Sequence, residues 1–551
     1  MKKPSLSFGK LPHIGPPLAG EGLLGRWRPL RAFTGIAIAL AIAALIAALL
    51  IALSVAGRTI PTTGSTVTGI ARLVVMSGIQ AALSTLLSLI TGVALAWSLD
   101  RLRFRGRGFV VGLLSTALVL PALVIVSGLV AVWGRNGWIN ALIDPLGLSA
   151  PSIFGLGGIL AAHTLLNGAF SARIYLDRLE AIPPEKLKLG RSLGLSAWRR
   201  FTVIDIPALA GSVPGVGATI FLLCFTSFPI VLVLGGGPAN QTLEVAIFQA
   251  VRLDFDLGAA VRLAIVQLVV CAAIIIPASS LSPAAALFGR RSRYHWPESR
   301  PVTVAQTLIL TVLLLGFLTP LLAVLARGLG PALLSVLGQA NFWRALWTSL
   351  TIGSLSALLT LALALALGMA RALEPRQSAL RTALGVPVFT YLAVPAVVLS
   401  LGFFLLARFI GVPTGGAAPV VLVIANALLA LPFAFATLNP PLEAIARRNK
   451  KLIRALGLSS TAQWRRIEWP LLGRPIGYAL AVAFVFSLGD LGVISLFGTS
   501  EFSTLPWLMY RALGAYRSAD AEAIGAILLI LSLSAFIAIP KLFEVVTNAR
   551  D

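Results

Sequence analysis

Charge is scarce in this 551-residue chain: Asp, Glu, Lys and Arg together make up 12% of it, whereas 58% is hydrophobic. Its mean hydropathy is +0.93. A soluble fold of this length could not cover so much apolar surface with so few charged groups, so the composition predicts an all-α integral membrane protein. Cysteine is nearly absent. Cys224 and Cys271 both lie in apolar runs, which excludes a disulfide framework and suits two small packing residues. With three histidines there is no His/Cys/acid cluster of metal-ligand spacing. No Gly-rich loop ends in Gly-Lys-Ser/Thr, so no metal or nucleotide cofactor is expected on this chain. Acidic residues are the scarcer charge, 20 against 44 Lys and Arg, a formal net charge of +24. Such an excess suits nucleic acid, but its placement along the chain argues for a membrane instead.

What the chain does contain is a long internal repeat. Leu179-Glu180-Ala181-Ile182 through Leu193-Gly194-Leu195-Ser196 to Ile204-Asp205-Ile206-Pro207 superposes, without a gap, on Leu442-Glu443-Ala444-Ile445 through Leu456-Gly457-Leu458-Ser459 to Ile467-Glu468-Trp469-Pro470. The offset is 263 residues, and Arg191 falls on Arg454. A repeat of this length means two copies of one structural unit. Each copy is a basic stretch between apolar runs long enough to cross a bilayer. Leu189 and Leu193, like Leu452 and Leu456, lie four apart and share a helix face. Gly194 and Gly457 suit the left-handed position that ends such a helix. The next short helix can be capped by Ser196 in one copy, and by Ser460 with Gln463 at capping-box spacing in the other. The expected result is a helix-turn-helix outside the membrane with a small apolar face and a rim of Lys and Arg. Such a face suits docking into a groove on a partner. A plain basic loop is the alternative, which the repetition disfavours.

Twelve apolar stretches are expected to span the membrane, six per half: 33–56, 73–98, 109–133, 153–175, 208–234 and 259–288, then 306–328, 346–370, 382–410, 417–439, 474–497 and 521–540. The first is too long for a signal-peptide core and is read as a retained span. The halves are 1–288 and 306–551, joined by a basic linker at 289–305 that carries Arg290, Arg291, Arg293 and Arg300. With the N-terminus inside, 34 of the 44 basic residues fall on one face, the face that holds both repeated loops (about 179–207 and 442–470) and both termini. The positive-inside rule makes that face cytoplasmic, where anionic lipid accounts for its charge. The repeat also reaches outward, since Val119-Leu120-Pro121-Ala122 echoes Ala393-Val394-Pro395-Ala396. Both prolines are expected to kink their spans and to free backbone groups there.

At this point the chain resembles a known family. The spacing Gly, nine residues, Ile-x-aliphatic-Pro, met at Gly194…Pro207, is similar to the "EAA" loop of importer permeases of ATP-binding-cassette transporters. The second copy, Gly457…Pro470, keeps the spacing with Trp469 in the aliphatic slot. Where the family has Glu-Ala-Ala, this chain has Lys188-Leu189-Gly190 and Lys451-Leu452-Ile453, and its own Glu-Ala pairs lie eight residues earlier. The resemblance implies that the two loops are coupling helices that enter clefts on cytoplasmic ATPase subunits. It assigns that role to Lys188, Leu189, Gly190, Arg191, Gly194 and Pro207, and to Lys451, Leu452, Ile453, Arg454, Gly457 and Pro470. The contacts of the family's Glu do not carry over.

Longer stretches resemble the permeases of thiamine and thiamine-pyrophosphate importers: Gly134-Arg135-Asn136-Gly137-Trp138, Leu234-Gly235-Gly236-Gly237-Pro238, Thr242-Leu243-Glu244-Val245-Ala246-Ile247, Trp343-Arg344-Ala345-Leu346-Trp347-Thr348-Ser349-Leu350, and Thr504-Leu505-Pro506 with Tyr516-Arg517-Ser518-Ala519-Asp520. Ferric-iron permeases share the same fused plan and are the alternative. The resemblance implies a multi-pass protein of the bacterial inner membrane, a periplasmic substrate-binding protein and two copies of a cytoplasmic ATPase that hold the ATP and Mg. It implies a chain that does no chemistry and passes its substrate by alternating access.

Four polar residues within the spans are candidates for the translocation path. Asp490 is an acid at membrane depth, Ser227 is its repeat partner, and His163 and Asn426 hold equivalent positions in the two halves. An acid there should face an interior or a cavity. Asp490 suits either attraction of a cationic substrate or a packing hydrogen bond beside two glycines, and the same two readings stand for the others. A secondary transporter, with Asp490 carrying a proton, is the rival from another class. A membrane scaffold is a third.

Overall fold

The computed structural model describes residues 21–59, 67–148, 151–278, 296, 298–375, 377–391, 394–449, 453, 455, 456 and 458–548. The described residues are helical throughout, with no strand among them. In the first half the principal helices are α1 (Glu21–Thr59), α2 (Val67–Arg101), α3 (Arg107–Thr116), α4 (Ala122–Trp133), α5 (Leu156–Glu180), α6 (Pro184–Ser192), α7 (Val213–Phe225), α8 (Pro229–Leu234), α9 (Leu243–Arg252) and α10 (Leu257–Ala278). In the second they are α11 (Arg300–Gly328), α12 (Ala340–Leu373), α13 (Ala379–Thr390), α14 (Ala396–Phe409), α15 (Thr414–Arg448), α16 (Trp469–Leu488), α17 (Ile494–Phe497), α18 (Leu505–Gly514) and α19 (Ser518–Asn548).

Among the described residues nine helices are long and apolar enough to cross a membrane, or ten if one pair bent by 62° near Gly211 counts as a single span. Among the described residues, length and apolarity alone therefore do not account for all twelve of the spans expected from the sequence. The stretch at 153–175 does form a long helix, α5, but His163, Asn167 and Arg173 make it polar. The stretches at 109–133 and 382–410 are divided. Pro121 and Pro395 break their spans rather than kink them, and a new helix starts just after each ring. Leu120 is extended, with φ −66° and ψ 130°. A residue before proline is pushed out of the helical region by the ring, which accounts for the break.

The repeat is visible throughout. α2 packs on α5 as α12 packs on α15. The N–H of Leu243 donates to Ser77 Oγ at 3.0 Å, and the N–H of Leu505 donates to Ser349 Oγ at 2.8 Å. Even the exceptions repeat: Phe255 (φ 53°) and Tyr516 (φ 59°) are the non-glycine residues in the left-handed region among those described, and each precedes the last helix of its half. The first helix of each half, however, is lodged on the other. α1 packs against α12 and α14, while α11 packs against α2 and α4. The two sequence halves are thus interlocked in space. Much of the outer apolar surface remains exposed, as in Leu40, Ile51, Leu86, Val312 and Leu358. Such a surface suits contact with lipid.

Candidate functional site

The repeated loops form the same local structure twice. In the first, α6 ends at Leu193 and the chain reverses through Gly194, whose φ is +65°. That is the left-handed value expected of a glycine at a helix end. The N–H of Leu195 closes the turn onto Gly190 O at 3.1 Å. In the second loop the N–H of Leu458 closes onto Ile453 O at 3.4 Å. Lys451, Leu452, Arg454 and Gly457 lie outside the described residues. A four-residue helix follows each turn, at Ala197–Arg200 and Ser460–Gln463. Ser196 Oγ accepts from the Arg199 N–H at 3.3 Å, and Ser459 Oγ accepts from the Ala462 N–H at 3.3 Å. The second cap is therefore Ser459 and not Ser460. The repeat register sets Ser459 opposite Ser196, and the Gln463 side chain turns instead to Glu468 Oε1 at 2.7 Å.

Next comes a single wide turn of π-helix in both loops, Phe201–Asp205 and Trp464–Glu468. Pro207 and Pro470 explain it. A proline ring clashes with the carbonyl four residues before it and offers no N–H, so the preceding turn widens to a five-residue spacing. The N–H of Ile206 bonds to Phe201 O, as that of Trp469 bonds to Trp464 O.

The outward face of the first loop is apolar with a basic rim. Leu189, Leu193 and Trp198 are 59%, 68% and 71% exposed, and Lys186, Lys188, Arg191 and Arg199 surround them. In the second loop Leu456 is similarly exposed, with Arg465 and Arg466. The inward face is packed. Gly190 is buried because a Cβ there would lie 2.9 Å from Ile204 Cδ1 and 3.2 Å from Trp296. Ile453 is the buried residue opposite it.

Carboxylates tie each loop to the helices. Asp205 is fully buried, 2.8 Å from Arg101 at the end of α2 and 3.7 Å from Arg200. Arg200, also fully buried, pairs with Glu298 and lies over the Trp296 ring at 4.9 Å. Glu468 holds Asp205's place in the second loop and takes both nitrogens of Arg31, in α1, at 3.1 Å. That is the forked pairing a guanidinium and a carboxylate favour. Where each loop leaves its long helix, Glu180 pairs with Arg107 at 2.8 Å and Glu443 pairs with Arg381. The displaced Glu-Ala pairs of the sequence thus anchor the entry to each loop. Sequence reasoning missed these ion pairs, although Arg107 and Arg381 stand at the same offset as Pro121 and Pro395.

The four path candidates do not come together. His163 Nδ1 lies 3.0 Å from Ser84 Oγ between α5 and α2, and Asn426 Nδ2 donates to Ser487 Oγ at 2.9 Å between α15 and α16. Both sit within their own half and join helices there. Asp490 lies at the break between α16 and α17, where its carboxylate accepts from the N–H groups of Val493 (3.2 Å) and Ile494 (3.4 Å). Those bonds satisfy two backbone donors at the break. Ser227 is buried at the matching break between α7 and α8. These breaks meet the half-helices of the broken spans: Gly489 lies against Pro121, Gly492 lies against Ala396, and Ser400 Oγ donates to Val493 O at 2.9 Å. Interrupted helices packed together at membrane depth are how membrane proteins line a path with backbone groups.

No family model matches the chain. Among individual proteins, it is 40% identical over 470 residues to the thiamine transport system permease protein ThiP of Escherichia coli, covering 84% of this chain and 87% of that protein. It is 38% identical over 467 residues to ThiP of Brucella melitensis, with 83% and 84% covered. A shorter stretch of 170 residues is 30% identical to the molybdenum transport system permease protein ModB of Azotobacter vinelandii, covering 30% of this chain and 74% of that protein. Similarity that runs through both halves, together with the all-helical membrane architecture, places this chain in the ThiP family of transport permeases.

Proposed function

We propose that the chain is the membrane permease of an ATP-driven importer that carries thiamine and its phosphate esters into the bacterial cytoplasm. The single observation that carries this reading is the 40% identity to a thiamine permease over 84% of the chain, spanning both repeats. The two loops are its coupling elements. Their exposed Leu189, Leu193 and Trp198, ringed by cations, suit a groove with an apolar floor and an acidic edge on each of two ATPase copies. Both termini and both loops lie in the cytoplasm, and a periplasmic binding protein delivers the substrate to the opposite face. ATP and Mg are held by the ATPases, and this chain hydrolyses nothing. Closure of the ATPase pair draws the two loops together, and the long helices carry that motion to the breaks at Pro121, Pro395, Ser227 and Asp490.

The test is ATP-dependent uptake of radiolabelled thiamine by proteoliposomes that contain the permease, its ATPase and its binding protein. Uptake that needs ATP and the binding protein is the expected result. Gradient-driven uptake without ATP would support the secondary transporter, and ATP-driven uptake of ferric iron in place of thiamine would support the other fused permeases.

A further inference from the structure

The first half buries one acid for which the second half has no counterpart. Glu244, in the first turn of α9, is fully buried, and no basic side chain acts on it. Its neighbours are the Gln267 amide, the backbone of Val397 and Cys271. Neither carboxylate oxygen forms a hydrogen bond of ordinary geometry, and the amide of Gln267, also fully buried, is likewise without one. The repeat register names the residues opposite. The paired bonds of Leu243 and Leu505 set Pro506 against Glu244. The paired left-handed residues Phe255 and Tyr516 set the buried Leu528 against Gln267. In the second half apolar residues therefore hold both places, so the buried carboxyl is particular to the first half.

Its depth follows from helix counting. Ser77, which holds the start of α9, is the eleventh residue of α2, and Gln267 is the eleventh of α10. At about 1.5 Å per residue both lie about 15 Å from the helix ends opposite the repeated loops. With those ends set at the outer boundary of a hydrocarbon core of about 30 Å, the site falls near its middle. α9 also packs against α14 and α17 of the second half, so Glu244 lies where the halves meet.

We propose that Glu244, with Gln267 beside it, is the midplane subsite for the positively charged part of an organic cation in transit. A carboxyl buried at this depth with no cationic partner among the described residues marks a transport path. The inference rests on the thiamine reading, because the thiazolium ring carries a fixed charge on a quaternary nitrogen. Such a nitrogen has no proton to donate, so it is recognised by a bare carboxylate rather than by a hydrogen-bond acceptor of fixed geometry. A single acid beside the pseudo-symmetry axis, unmatched in the second half, suits a ligand with one cationic end. Separation of α9 from α14 and α17 opens the site. The competing role is a purely structural one, in which the carboxylate caps the first turn of α14 at Val397. A glutamine would serve that role as well, since its carbonyl oxygen also accepts.

The experiment uses the complete importer in proteoliposomes and follows radiolabelled thiamine uptake and ATP hydrolysis for wild type, Glu244→Gln and Glu244→Asp. The expected result is a fall in uptake of about tenfold or more for Glu244→Gln, the scale of one lost charged contact. ATP hydrolysis stays near wild type, and Glu244→Asp restores part of the uptake. Wild-type uptake by Glu244→Gln would overturn the proposal in favour of the cap. Equal loss of uptake and hydrolysis in both variants would overturn it in favour of packing. Absence of thiamine uptake by wild type would instead overturn the transport reading beneath it. A measurement on the unmodified protein guards against a variant that fails to assemble. Dicyclohexylcarbodiimide modifies buried carboxyls, and its reaction with Glu244 is read by peptide mass spectrometry. Thiamine with ATP should slow that reaction during turnover, and labelling indifferent to thiamine would overturn the proposal.

Discussion

The two repeated loops share a backbone and differ in what holds them. Both are closed by an equivalent backbone bond, Leu195 onto Gly190 and Leu458 onto Ile453, both are capped by a serine, and both widen into a π turn before a proline. The first is then tied down by buried charge: Asp205 sits between Arg101 and Arg200, and Arg200 continues to Glu298 and Trp296. In the second, Glu468 has one cationic partner among the described residues, Arg31, which is 22% exposed, and the arginine of the first loop is replaced by Gln463. The partners also come from different places. Arg101 belongs to the same half as its loop, whereas Arg31 lies on α1, so the second loop is tied to the first half. Local chemistry sets the shape of a loop, and distant chemistry sets how firmly the shape is held.

That contrast predicts unequal costs for removing equivalent carboxylates. Asp205→Ala leaves Arg101 with Asp100 alone and Arg200 with Glu298 alone, both guanidiniums still buried, and should destabilise the permease by as much as about 3–5 kcal/mol. Glu468→Ala removes charged hydrogen bonds from a partly wet arginine and should cost about 1.5–3 kcal/mol. Thermal unfolding of the purified complex in detergent measures both. Equal losses would break the comparison.

Gly194 probes a feature taken from backbone alone. Its φ of +65° strains any branched residue, and no atom lies within 4 Å of a Cβ placed there. Gly194→Val should therefore cost about 1–3 kcal/mol through strain. Gly194→Asn, which tolerates the left-handed region, should cost much less. If the open space is the seat of an ATPase, both variants insert normally, and the Val variant loses more ATP-driven uptake than the Asn variant. Equal uptake by the two would show that this turn does not bear on coupling.

The smallest effect sharpens the comparison from the other side. Ser196→Ala and Ser459→Ala each remove one cap bond of 3.3 Å. Each loss should cost about 1 kcal/mol. Here the two loops should match, since the cap is local. Proteolytic nicking rates at the loops report it, and a clear difference between them would mean that the distant tethers also govern the short helices.

The loops are legible in the sequence because their determinants are neighbours in the chain. Gly194 at a helix end, Ser196 three residues before an N–H it can accept from, and Pro207 after a turn it must widen are all read within a few positions. The capping-box spacing to Gln463 points to Ser460, yet the repeat register points to Ser459, and the register wins because Gln463 has a carboxylate to answer elsewhere. The repeat register sets His163 opposite Asn426, but their hydrogen-bond partners, Ser84 on α2 and Ser487 on α16, lie 79 and 61 residues away. Glu244 stands out in no local pattern, because its burial and its want of a cationic partner leave no mark on the residues around it.

By itself the sequence determined that the chain is a helical membrane protein, that it carries a long internal repeat, where the two repeated loops fall and how the first of them turns. These follow from composition, from period and from residues whose backbone preferences act over one or two turns. Only the tertiary structure decided that α1 and α11 trade places between the halves, that Pro121 and Pro395 end helices at the point where the halves meet, that Arg31 answers Glu468 across 437 residues, and that Glu244 is buried between the halves with no cation beside it among the described residues. In a bilayer almost every face of these helices is apolar, so hydrophobic pattern cannot say which helix meets which. The choice falls to a few small, polar and charged groups, and their partners become known only when the chain is packed.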